Sequence, residues 1–87
     1  MNILAAGQEA LASHFAGKPH HAVGDPFTHV DGVPVLTDAS ACILAESEAA
    51  HDCGDHTLFV GLIQVMTADD RPPLLYHAGR YGAFAPL

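Results

Sequence analysis

At 87 residues the chain has room for one small domain, and a domain of that size buries only about 60% of the surface its unfolded chain exposes. An apolar fraction of 49% against 15% charged excludes a disordered segment and leaves apolar surface for contact with a second chain, so a homodimer is expected. Ten acidic residues against Lys18, Arg71 and Arg80 give a net charge of −7, which argues against nucleic acid or an anionic membrane as partner.

No run approaches the ~18 apolar residues of a membrane span, and the first residues lack the basic start of a signal peptide. The expected location is the cytoplasm. Cys42 and Cys53 form no CxxC pair and are expected to be free thiols.

Met1-Asn2-Ile3-Leu4 is too short to be a strand by itself. Gly7 to Ala16 reads as a short helix: Leu4, Leu11 and Phe15 fall on one face, Glu9 suits the positive end, and Gly17 then Pro19 stop it. Lys18 to Thr37 is rich in Gly, Pro, His and Asp, with turn signals at Asp25-Pro26 and Asp31-Gly32, and reads as a loop with little regular structure. His20, His21 and His29 in that stretch read as solvated loop histidines.

Residue propensity predicts a helix over Ala39 to Ala50, capped by Asp38. Gly54 to Met66 reads as a strand. Leu58, Val60, Leu62 and Met66 stand at even positions and Phe59, Ile63 and Val65 at odd ones, so both faces are apolar and a closed or covered sheet is expected. Asp55 and His56 stand at its entrance, directly after a glycine that permits a sharp turn. Thr67 to Pro73 reads as a polar turn and Leu74-Leu75-Tyr76 as a short last strand. Gly79-Arg80-Tyr81 is expected to turn the chain before Phe84 packs its end.

Four groups of residues together resemble one family. Asn2-Ile3-Leu4, Ser13-His14-Phe15-Ala16-Gly17, Gly32-Val33-Pro34-Val35-Leu36 with Asp38-Ala39, and Gly54 to Gly61 followed by Pro73 to Tyr81 are similar, in order and nearly in spacing, to flavin reductase-like proteins. The resemblance implies a mainly β fold, a partial FMN-binding split β-barrel with one short helix. It begins partway through the family's domain, so residues 1–87 are expected to be its C-terminal part, with the N-terminal half of the barrel absent. It also turns Ala39 to Ala50 into a strand pairing antiparallel with 55–66 through a turn at His51-Asp52-Cys53-Gly54. Sheet context overrides intrinsic preference, and the strand is the expectation carried forward. Ala45 and Leu62 depart from the family: the first is smaller than usual, loosening packing, and the second is apolar where the family tends to meet solvent.

As function, the resemblance implies NAD(P)H-dependent reduction of FMN or FAD, with reduced flavin supplied to a monooxygenase partner. Such chemistry is the cofactor's, and the protein contributes positioning groups. The resemblance therefore implies a catalytic, nucleotide-facing role for His56, with Asp55 fixing its tautomer. It places Ser13, Phe15, Ala16 and Gly17 beside the flavin's phosphate or adenylate tail, and Arg80 with Tyr81 as an anion-binding and stacking pair. Each has a structural alternative: a hairpin histidine for His56, core packing for Phe15, a surface cation with a core ring for Arg80 and Tyr81. Two rival functions are a non-enzymatic flavin-binding or dimerisation piece, and a metal site from His51, Cys53, His56 and His77. The latter matches no standard zinc spacing, so no metal is expected.

Overall fold

The computed structural model describes residues 1–19 and 23–87, so His20 and His21 lie outside the described residues. Along the chain the elements are β1 (Asn2–Ile3), α1 (Glu9–Phe15), β2 (Phe27–Val30), β3 (Val33–Leu36), β4 (Ala41–Cys53), β5 (His56–Ala68), β6 (Leu74–His77) and β7 (Arg80–Ala83). The fold is mainly β with one short helix, as expected. Its sheets are open: one of three strands ordered β1-β4-β5 and two separate hairpins, β2-β3 and β6-β7.

The Ala39 to Ala50 conflict resolves in favour of pairing. β4 runs antiparallel to β5 from Ala41↔Ala68 to Cys53↔His56. The register shifts twice, leaving Gln64 of β5 and Glu48 of β4 without opposite residues. The turn is tighter than expected, Gly54-Asp55 rather than His51 to Gly54. Gly54 has φ +64°, the positive value a two-residue hairpin loop with glycine first requires. Cys42 and Cys53 are both free and stand on one extended strand, eleven residues or roughly 36 Å apart, beyond any bridge.

The stretch expected to be a loop contains a hairpin. Phe27 to Val30 pairs with Val33 to Leu36, closed by Asp31 at φ 50° and Gly32 at φ 77°. Positive φ at both central residues is the type I′ turn that Asp-Gly favours. The chain end differs likewise: Ala78 (φ 52°) and Gly79 (φ 77°) form the turn, while Arg80 and Tyr81 begin β7. β6 is therefore not the last strand, and Phe84 is 64% exposed rather than packed.

Residues 1–6 hold the sheets together. Asn2 and Ile3 pair with Cys42 and Ala41, and the Leu74 N–H donates to Leu4 O and the Ala6 N–H to Pro72 O, both at 2.8 Å. One short segment thus reaches the three-stranded sheet on one side and the start of β6 on the other. Asn2 Oδ1 accepts the Leu36 N–H at 3.1 Å, and Gln8 accepts from the Ala5 N–H while donating to Thr37 O, fastening the β2-β3 hairpin to the same seam. Arg71 pairs with Asp38 and Asp69, each at 3.1 Å, and clips the β3–β4 connection to the β5–β6 connection.

The core is small: Ala5 and Val35 are the buried apolar residues among those described. The expectation of a covered β5 is not met. Leu58, Phe59, Val60, Leu62, Ile63 and Met66 are each more than half exposed, because among the described residues β5 has β4 as its one sheet neighbour and no sheet closes around it.

Candidate functional site

The seam of residues 1–6, α1 and the β2-β3 hairpin enclose a groove of about 470 Å³, within the ~300–1,000 Å³ of ordinary ligand sites. Leu4 and Leu11 form its floor together with Leu36, and Phe15, Ala16 and Phe27 its rim. Phe15 meets Phe27 edge to face, with ring centroids 6.0 Å apart at 64°. Leu4, Leu11 and Phe15, expected on one helical face, do converge here, although Leu4 lies outside the helix. Asn2 is the one polar side chain in the lining, and its Oδ1 accepts the Leu36 N–H.

The segment Ser13 to Gly17 is also a complete helix stop. The Gly17 N–H donates to His14 O and the Lys18 N–H to Ser13 O, with Gly17 at φ +93°: a Schellman motif. The Ala16 N–H is taken by Ala12 and Ser13. These N–H groups are spent inside the helix end, and carbonyls at a helix C-terminus repel an anion. The groove therefore suits a planar apolar ring, and the Ala16-Gly17 backbone does not suit a phosphate. Of the Ser13-Phe15-Ala16-Gly17 set, Phe15 and Ala16 line the groove; Ser13 and Gly17 do not.

The other expected site residues stand elsewhere. Asp55 and His56 occupy the tip of the β4-β5 hairpin, with His56 Nε2 3.4 Å from Asp55 Oδ1 and side chains 80% and 91% exposed. Arg80 opens β7 opposite His77, and the Tyr81 ring packs on Tyr76 with centroids 5.0 Å apart. Tyr81, at 40% exposed, is a cross-strand partner rather than a core ring. None of these four lines the groove. Among the described residues no three His, Cys, Asp or Glu side chains gather to hold a metal ion, and His51, Cys53 and His56 are spread over the hairpin tip. No described helix is long and apolar enough to cross a membrane.

Asn2, Phe27 and Leu36 were missed as groove residues. The Asp31-Gly32 turn signal carried the information for two of them, since a two-residue loop there places Phe27 opposite Leu36.

Comparisons with known proteins agree with this architecture. An NADH-dependent flavin reductase of Rhodococcus sp is 37% identical over 93% of this chain and 46% of its own length. The reductase component of an FADH(2)-dependent resorcinol hydroxylase of Rhizobium sp. (strain MTP-10005) is 38% identical over 99% of this chain and 51% of its own. The solved structure of flavin reductase PheA2 in its native state superposes with a TM-score of 0.89 at 35% identity, covering 98% of this chain and 56% of that one. The chain spans about half the length of the curated relatives it matches. With residues 1–85 matching the family model of the flavin reductase like domain, the chain belongs to that family.

Proposed function

We infer that the chain serves NAD(P)H-dependent reduction of FMN or FAD, as a homodimer in the cytoplasm, passing reduced flavin to a monooxygenase partner. The family match over residues 1–85 carries this reading. A bound flavin would supply the hydride-accepting ring. The chain's own contribution is to hold and orient. Phe15 and Phe27 offer ring edges and faces, Leu4, Leu11 and Leu36 exclude water from one side, and the Asn2 amide donates to a polar ring edge. A phosphate would be met by the exposed Lys18 or by Arg80, since the helix end offers no N–H to it.

His56 is assigned to the pyridine nucleotide. Its side chain is 80% exposed at the hairpin tip, with Nε2 3.4 Å from Asp55 Oδ1, and the ring is open to a hydrogen-bonding group of the nucleotide. Tyr81 holds its ring against Tyr76 and leaves the neighbouring Arg80 guanidinium in solvent, where it pairs with an anion.

The test is NADH oxidation by the purified chain with and without added flavin. Oxidation that requires FMN or FAD supports the reading. Flavin binding without NADH oxidation indicates a non-enzymatic binder, and the absence of both flavin binding and NADH oxidation contradicts the assignment.

A further inference from the structure

Gln8 stands at the start of α1, where a short polar side chain ordinarily turns back to cap the helix. It makes no such cap. Its amide reaches outward in two directions instead. Oε1 accepts the Ala5 N–H at 2.8 Å, and the Gln8 N–H returns a bond to Ala5 O at 3.0 Å, closing a ring on one of the two buried apolar residues among those described. With Oε1 used there, Nε2 is the donor that meets Thr37 O, 29 residues away, at 2.9 Å. Thr37 is in turn tied to the opposite wall of the groove. Its N–H donates to Pro26 O at 2.8 Å, immediately before Phe27. Its carbonyl leads into Asp38, which holds φ 63° and pairs with Arg71 at 3.1 Å. The Thr37 backbone thus bonds the α1 wall through its oxygen and the β2 wall through its nitrogen.

We propose that Gln8 is a positioning residue for the groove, its side chain setting where the Phe15 wall stands relative to the Phe27 wall. This rests on the flavin reading above and adds to it the residue that fixes the groove's width. α1 has seven residues, fewer than the ~12–15 at which a helix begins to hold itself in water, so its placement comes from its attachments. Phe15 lies two turns beyond Gln8, about 10 Å along the helix axis, and a tilt at the Gln8 end is carried along that arm to the ring. There Phe15 meets Phe27 with centroids 6.0 Å apart. The helix stop at Gly17 draws its bonds from within α1 and gives no hold on the hairpin. Capping and bracing are competing uses of one side chain, and length decides between them. Asparagine or serine at this position caps better but falls short of the span from Ala5 to Thr37. Aromatic contacts depend on ring separation and angle, and a misplacement of about 1 Å in a positioned site can cost on the order of 100-fold in rate.

The test is a double-mutant cycle on FMN affinity, read by quenching of flavin fluorescence, with Gln8→Asn and Phe15→Ala made singly and together. Asparagine is a favoured cap and adds no charge, so Gln8→Asn withdraws the brace while supporting the helix, and a thermal melt checks that the fold is kept. Gln8→Asn is expected to weaken FMN binding about threefold or more where Phe15 is present, and by less than about twofold in Phe15→Ala, where no ring is left to position. In the free chain, NOEs between the Phe15 and Phe27 rings are expected to weaken in Gln8→Asn. A merely structural role weakens binding by the same factor in both backgrounds and overturns the positioning role alone, as do ring NOEs that Gln8→Asn leaves unchanged. If Gln8→Asn does not fold, Gln8→Ser takes its place in the cycle. If neither folds, Gln8 is a structural residue and the proposal falls. Wild type that binds no FMN overturns the flavin reading and the positioning role together.

Discussion

Gly61 lies against Ala45 so closely that a Cβ on Gly61 would stand 2.9 Å from Ala45 Cβ. The two sit between the register shifts of the β4-β5 ribbon, where Ser47 faces Gly61 and Ala45 faces Ile63. Ala45 was expected to loosen packing because it is small. Its Cβ instead stands where a side chain at 61 would have to go, so the glycine and the alanine are matched.

Gly61→Ala is therefore expected to destabilise by about 1 kcal/mol, because the added methyl must displace Ala45 Cβ and shift the ribbon. Ala45→Gly in the same chain should recover part of that loss. A double-mutant cycle on urea midpoints measures the coupling. Additive effects would show that the contact does not constrain the ribbon.

Ala78 holds φ 52° at the first central position of the β6-β7 turn, where an alanine methyl is strained. Ala78→Asn makes the Asn-Gly pair that type I′ turns prefer and is expected to stabilise by roughly 1 kcal/mol. A raised melting temperature checks it.

Asn2 joins fold and groove in one side chain. Asn2→Ala removes the acceptor of the Leu36 N–H, at an expected cost of about 1 kcal/mol, and the groove's amide donor with it. Asn2→Asp keeps the acceptor and loses the donor. If the amide meets flavin, both variants weaken flavin binding while Asn2→Asp retains more of the stability.

His56→Ala separates a positioning role from a structural one. The His56 side chain is 80% exposed and its partner Asp55 91%, so its removal should leave the melt nearly unchanged. A chain that uses the His56 ring for the nucleotide should show KM for NADH raised up to about tenfold, with flavin binding unaffected. A lowered melt with unchanged NADH kinetics would make His56 a hairpin residue.

What could be read from the residues followed from whether the signal was local. The apolar run from Leu58 to Met66 announced β5, and Gly17 with Pro19 announced the end of α1, because each signal lies within its own element. β4 was legible through family likeness alone: its alanines and glutamates favour helix, and only pairing with β5 across twelve registered positions makes it a strand. β2 and β3 were hidden by His29 and Pro34, which weaken a strand pattern, although the Asp31-Gly32 turn between them was visible. β7 was hidden because Gly79 drew the turn forward onto Arg80 and Tyr81, whereas the Tyr76 and Tyr81 rings pair across the strands. The groove depends on residues 2, 15, 27 and 36 meeting, which no local pattern encodes.

The most direct test of the account is a titration of the chain with FMN, followed by quenching of flavin fluorescence, on wild type and Phe15→Ala. The account predicts saturable binding of micromolar strength or weaker, as about half the relatives' length would provide, and a loss of roughly fivefold or more when the Phe15 ring is removed. An absence of saturable binding, or binding indifferent to Phe15→Ala, would contradict it.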